Sequence, residues 1–138
     1  MTLILSLFAA LNVFAQPTLK PLSPIPSAQV PEFSCDNIEP VKCEDLDSRL
    51  RGYADNSSKH EQTLIAYMFD IQNAASNWYT QLQPLEAQTV DVPENYFQVI
   101  NDGANDMQDV TGRAAQNRNC LKLELEEIIK AVTSCRKG

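Results

Sequence analysis

From about residue 41 onward, apolar residues recur at alternating steps of three and four. This spacing is typical of a helical stripe of coiled-coil type. The first such stripe comprises Leu46, Leu50, Tyr53, Leu64, Met68, Ile71, Ala75, Trp78 and Leu82.

Polar residues interrupt this stripe near its middle, although its phase is kept. Residues 58–61 read Ser-Lys-His-Glu and match a capping box, in which the Ser and Glu side chains bond each other's backbone N–H groups. We therefore predict a short helix at about 41–54, a kink or tight turn near 55–57, and a longer helix at about 58–86.

A second stripe follows Pro93, a residue that fits the first turn of a helix. The stripe never loses phase, so we expect one long helix at about 94–135. Whether that helix kinks at Gly112 is not determined by the pattern. The stripe comprises Tyr96, Ile100, Gly103 or Ala104, Met107, Val110 or Thr111, Ala114, Arg118, Leu121, Leu125, Ile128, Val132 and Cys135.

Two stripes of equal length joined by a short loop predict an antiparallel helical hairpin, or a small helical bundle built on it. In such a hairpin, the numbers of two residues that face each other add up to the same constant along the whole length. A constant of 178 aligns the two apolar stripes. This register places His60 opposite Arg118, so polar layers meet. It also places Cys43 opposite Cys135, although the cysteines were not used to choose it.

Four cysteines in a small chain with a leader-like start favour two disulfides. Cys120 and Cys135 cannot bond each other on one intact helix, because 15 residues at 1.5 Å each separate them by about 22 Å. We predict Cys43–Cys135 and, if the preceding segment folds back along the hairpin, Cys35–Cys120. The rival pair Cys35–Cys43 would leave the other two unpaired or break the long helix.

The chain divides into three parts. Residues 1–15 are uncharged and almost wholly apolar but too short to span a bilayer, so we interpret them as a cleaved signal peptide; an N-terminal core helix or a membrane anchor is the alternative. Residues 16–34 contain five prolines and predict an extended tether. Residues 35–138 form the helical disulfide-linked domain.

The net charge of −7 argues against nucleic acid and anionic lipid surfaces as partners. No later segment is apolar enough to span a membrane, so we expect a secreted protein, extracellular or periplasmic. We expect no metal and no cofactor, because the cysteine spacings do not suit zinc. The acidic residues Asp102, Asp106 and Asp109 share one helix face that we interpret as solvated.

We also expect no enzymatic activity. The one histidine, His60, lies in a capping context, both disulfides would consume all the cysteines, and no phosphate-binding loop or Ser-centred elbow is present. Asn56-Ser57-Ser58 is an N-glycosylation sequon at the predicted kink, and its use depends on the source.

Aromatic and aliphatic side chains beyond the stripes crowd one half of the hairpin. Either the tether covers them, or they mark a dimer interface or a site for an apolar ligand. The residues in question are Ile65, Phe69, Trp78, Tyr79, Tyr96 and Phe97.

Two functions fit this sequence. The first is a secreted, non-enzymatic interaction or structural module that binds a protein partner, or itself as a homodimer, through a helical face. The second is a small carrier that holds an apolar small molecule between its helices near Trp78. A dry, partner-bound face would indicate the module, and an enclosed cavity would indicate the carrier.

Overall fold

The computed structural model describes residues 20–87 and 92–136. These residues form two long helices, α1 (Leu46–Leu82) and α2 (Glu94–Arg136), and no strand. Short 3-10 helices, Cys43–Asp45 and Gln83–Ala87, precede and follow α1. The predicted all-α, disulfide-stapled hairpin is confirmed. The predicted signal peptide lies outside the described residues.

Helix α1 is continuous, so the predicted break near residues 55–57 is wrong. Ser58 does not cap a new helix; its hydroxyl accepts a hydrogen bond from Gln62 Nε2 at 3.1 Å, one turn further along. Asp, Asn and Ser weaken a helix by only tenths of a kcal/mol each. We infer that packing of the stripe, whose phase is kept across its polar positions, outweighs this local cost.

A proline lies just after the end of α1, and another lies directly before the start of α2. Helix α1 ends at Leu82, four residues before the predicted end, and the 3-10 helix that follows contains Pro84, which has no N–H to continue the α-helical ladder. Helix α2 begins directly after Pro93, whose carbonyl accepts a 3.0 Å bond from Tyr96 N–H. It continues through Gly103 and Gly112 to Arg136, in agreement with the predicted range.

The two helices pair antiparallel in the predicted register. Cys43 and Cys135 form a disulfide with their Cα atoms 5.7 Å apart, and Asn117 contacts His60 at 3.1 Å. The two residue numbers add up to 178 for the disulfide and to 177 for the Asn117–His60 contact, against the predicted constant of 178. Cys35 and Cys120 form the second disulfide, with a Cα separation of 5.2 Å, so both predicted bridges are confirmed.

Residues 20–42, here called the N-terminal segment, form a third layer over one side of the hairpin. The segment runs in the same direction as α2: the Lys20 carbonyl accepts from the Tyr96 hydroxyl, the Val30 carbonyl from Arg113, and Cys35 bonds Cys120. Without a strand partner, its backbone groups are bonded by helix side chains instead. The described part of the predicted tether is therefore extended and packed on the hairpin.

The core lies where the N-terminal segment meets the two helices. Val30 of the segment, Tyr67 of α1 and Val110 of α2 form a buried cluster, against which Ile25, Ala28, Leu64 and Ile71 pack. Each layer supplies apolar side chains to one shared interior, which a hairpin alone could not enclose. The N-terminal segment thus completes the core.

Candidate functional site

The N-terminal segment covers only one flank of the seam between α1 and α2. On α2, Val99, Asp102 and Asp106 lie on the side of Gly103 that faces the N-terminal segment. They line a surface depression together with Pro24, Ile25 and Ser27 of the segment. Ile100, Ala104 and Met107 lie on the other flank of Gly103 by helical geometry. We call that flank of the hairpin the outer face.

Part of the predicted apolar seam is exposed along the outer face. The residues concerned are Leu50, Met68, Ile100, Met107 and Val132, which are 39–60 % exposed although they belong to the predicted stripes. The predicted spacing of the apolar residues along both helices is therefore right, but the described residues cover the seam between the helices on one side only.

Four of the six predicted interface or ligand residues are exposed beside this open seam. Ile65, Phe69 and Tyr79 on α1 are 46 %, 61 % and 65 % exposed, and Phe97 on α2 is 63 % exposed. Ile65, Met68 and Phe69 line a shallow depression together with Gln72. By their positions along the two helices, these residues lie in the half of the hairpin nearer the 82–94 connection.

The other two predicted residues, Trp78 and Tyr96, are covered by the N-terminal segment. Trp78 Nε1 donates to the carbonyl of Ser23, and the Tyr96 hydroxyl donates to that of Lys20. A Cβ atom placed on Gly103 would lie 2.9 Å from Ile25 Cδ1 and 3.3 Å from Trp78 Cη2. Ile25 therefore fills the space between the helices beside Trp78.

Charge is unevenly distributed along the hairpin. Residues 62–82 of α1 contain one charged side chain, Asp70, whereas residues 46–61 contain six. In α2, Asp102 and Asp106 lie toward the N-terminal segment. At the disulfide end, by contrast, Glu61, Arg118 and Lys122 are exposed.

In the half of the outer face nearer the connection, the exposed large side chains are apolar, and the exposed carboxylate of Glu94 lies at the margin of this surface, one turn before Phe97. We call this surface the neutral face. It consists of Ile65, Met68, Phe69, Tyr79, Phe97, Ile100 and Met107.

A buried polar layer lies on the opposite, segment-covered side. Asn117 is fully buried; its Nδ2 donates to the Pro31 carbonyl at 2.6 Å and to His60 Nδ1, and its Oδ1 accepts from Phe33 N–H at 2.9 Å. Burial, together with the positive charge of Arg118, lowers the pKa of His60. The register prediction paired His60 with Arg118; its hydrogen-bond partner is the neighbouring Asn117.

Of the three aspartates predicted to be solvated, Asp102 and Asp109 are exposed, whereas Asp106 is partly buried. Asp106 accepts a 2.6 Å hydrogen bond from the Tyr67 hydroxyl, and burial and this carboxylate raise the pKa of Tyr67. Glu124 binds Arg49 through both carboxylate oxygens, at 2.7 and 2.9 Å. No group of acidic, His or Cys side chains in the described ranges could hold a metal ion.

The sequon residue Asn56 is exposed in the interior of α1 rather than at a kink. It borders a depression beside the Cys35–Cys120 bridge that Phe33 and Tyr53 also line. Glycosylation at Asn56 stays a prediction.

Comparisons with known proteins give no relative: the chain matches no family model, no curated protein and no solved structure. In the part of the chain that the structure describes, neither helix is long and apolar enough to cross a bilayer. The function is therefore inferred from this chain's own residues.

Proposed function

We propose that this protein is a secreted, non-enzymatic interaction or structural module that binds a protein through its neutral face. The observation that carries the proposal is an uncharged surface of Met, Ile, Phe and Tyr side chains on a chain whose net charge is −7. Interface cores have this composition: they are poor in charged residues and rich in aromatic residues and Met.

The size of the neutral face supports the same proposal. Large apolar side chains present on the order of 200 Å² each, so seven that are 39–65 % exposed leave roughly 600–900 Å² in contact with water. The largest apolar patch on a typical monomer is about 300–600 Å². The neutral face is large for a surface that meets only solvent.

The surface is also rigid, which lowers the entropic cost of binding. Its side chains project from two helices of 37 and 43 residues that are joined through the N-terminal segment and two disulfides. Aromatic side chains on regular helices lose little further freedom when a partner covers them. Protein partners that present an apolar helix or groove fit such a face.

Secretion is part of the proposal. Two disulfides are typical of proteins that fold in an oxidising compartment, extracellular or periplasmic. The predicted signal peptide at residues 1–15 and the sequon at Asn56 agree with that route. The acidic surface disfavours nucleic acid and anionic lipid as partners.

The carrier alternative would need room for an apolar molecule near Trp78. Ile25 already packs into that space, and Trp78 Nε1 is bonded to the N-terminal segment. A carrier would therefore have to displace the segment before it could load. This requirement makes the interaction module the better-supported function.

The test is native affinity purification of the oxidised protein from a secreting host, followed by native mass spectrometry. We compare wild type with Phe97→Glu on the neutral face and Ile129→Glu on the same helix. Phe97 and Ile129 have similar exposure, 63 % and 55 %. We expect wild type and Ile129→Glu to retain a protein partner, which includes a second copy, and Phe97→Glu to lose it.

Two results would contradict the proposal. One is a wild-type protein that retains no protein at all. The other is a small apolar adduct that disappears with Trp78→Ala, which would establish the carrier instead.

A further inference from the structure

We propose that the occupant of the neutral face is a second copy of this chain, which packs against it to form a two-fold symmetric, four-helix arrangement. This inference rests on the proposed function and specifies the partner. In this arrangement the halves near the 82–94 connection overlap, and the two disulfide ends point away from each other.

The open seam is the first support. Met68 on α1 and Ile100 and Met107 on α2 belong to the same apolar stripes as Ile71, Tyr96 and Val110, which pack on the side covered by the N-terminal segment. In a four-helix bundle, residues of such stripes face the shared core from all four helices. A single hairpin leaves the outer side of this seam uncovered. A second hairpin, whose apolar residues have the same spacing, can pack against that side.

The exposed area is the second support. The neutral face presents roughly 600–900 Å², taking on the order of 200 Å² for each large apolar side chain. A stable protein–protein interface of standard size buries about 800 Å² on each partner. The face is thus large enough for a dimer without any rearrangement of the hairpin.

Charge is the third support. In a two-fold interface both copies present the same patch, so a patch with charges of one sign would repel its copy. The side chains of the neutral face are uncharged, Asp102 and Asp106 lie on the flank covered by the N-terminal segment, and Glu94 lies at the margin of the face. The exposed charges Glu61, Arg118 and Lys122 lie in the disulfide-proximal half, outside the proposed overlap.

The first test measures the mass of the oxidised, full-length secreted protein by light scattering and sedimentation over a dilution series. We expect wild type and Ile129→Glu to be dimers. We expect Phe97→Glu to dissociate at least about 30-fold more readily, the effect of losing one dominant interface side chain. Far-ultraviolet circular dichroism and the intact mass establish that each variant is folded and has both disulfides.

A second measurement locates the interface without weakening it. A photoreactive amino acid at position 104, on the outer face, should yield a covalent dimer on irradiation. The same residue at the exposed position 109, on the side of α2 away from this face, should not. Cross-linking from position 109 alone would overturn the proposal.

The remaining outcomes separate this inference from the proposed function. A wild-type protein that stays monomeric at roughly 0.1 mM overturns the homodimer. If that monomer still binds another protein and Phe97→Glu loses it, the interaction module stands. A dimer that Phe97→Glu and Phe69→Glu leave intact overturns the proposed interface.

Discussion

The amide of Asn117 in α2 lies 3.1 Å from the imidazole of His60 in α1, and through its other contacts it holds the N-terminal segment. One fully buried side chain therefore connects all three layers. A buried amide that is satisfied in this way fixes the alignment of its partners, because any shift would leave polar groups unpaired.

Replacing Asn117 with Ala should lower the free energy of unfolding by about 2–4 kcal/mol, because three partners lose a buried hydrogen bond at once and a small cavity remains. Chemical denaturation measures the loss. The control is Asn119→Ala on the exposed side of the same helix, which should change stability by less than about 0.5 kcal/mol. Equal effects of the two substitutions would contradict the role of Asn117.

Stability should fall as the pH falls below about 6.5, the ordinary pKa of His. Burial and Arg118 lower the pKa of His60 in the folded state, whereas Glu61 opposes them. The unfolded chain therefore takes up a proton at a higher pH than the folded protein, and the contribution of neutral His60, complete above pH 6.5, is lost as the pH approaches the folded-state pKa.

Denaturation between pH 5.5 and 7.5 measures this dependence, and NMR follows the imidazole of the chain's one histidine. The variant His60→Gln should lack this part of the pH dependence. An NMR titration midpoint above 6.5 in the folded protein would show that the assigned direction is wrong.

Removing either disulfide by paired Cys→Ser substitution should cost about 2–4 kcal/mol. The bridges close loops of similar length, 85 and 92 residues in separation, so their entropic contributions are matched. Their local effects should differ. Loss of Cys35–Cys120 should speed hydrogen exchange at Phe33 N–H, whereas loss of Cys43–Cys135 should act on the last turn of α2; the reverse pattern would contradict the assigned roles.

Valine at Gly103 and at Gly112 should have opposite effects. Both glycines lie inside α2, where valine is the better helix former. At Gly103 the new side chain would meet Ile25 and Trp78, whereas nothing lies within 4 Å at Gly112. Thermal unfolding should show Gly103→Val to be less stable than Gly112→Val by about 1–3 kcal/mol, the usual cost of overpacking.

Helical periodicity carried most of the fold prediction. The constant-sum register follows from the spacing of apolar residues alone, and it placed Cys43 beside Cys135 because antiparallel helices advance by equal rises. The break at residues 55–57 was predicted from a local capping motif. A capping box stabilises the first turn of a helix. Residues 58–61 lie in the interior of α1, so they have no first turn to cap.

The course of the N-terminal segment was only partly predictable. A segment without periodic apolar residues shows no sequence signal for the groove it occupies, and Asn117 reads in the sequence as an ordinary polar surface residue. Trp78 and Tyr96 differ from Phe69, Tyr79 and Phe97 in one visible respect: they occupy stripe positions, whereas the others flank the stripes. That distinction holds for these five residues but not for Tyr67, which flanks the stripe and is buried in the core.

The parallel course of the N-terminal segment and α2 fixes where the two ends of the described chain emerge. Lys20 lies beside Tyr96 at the connection end of the hairpin, on the flank opposite the neutral face, whereas Arg136 follows Cys135 at the far end of the hairpin. Helix α2 is about 64 Å long at 1.5 Å per residue. A fluorophore or surface anchor attached at Arg136 would therefore report on the disulfide end of the hairpin, tens of ångströms from one attached at Lys20.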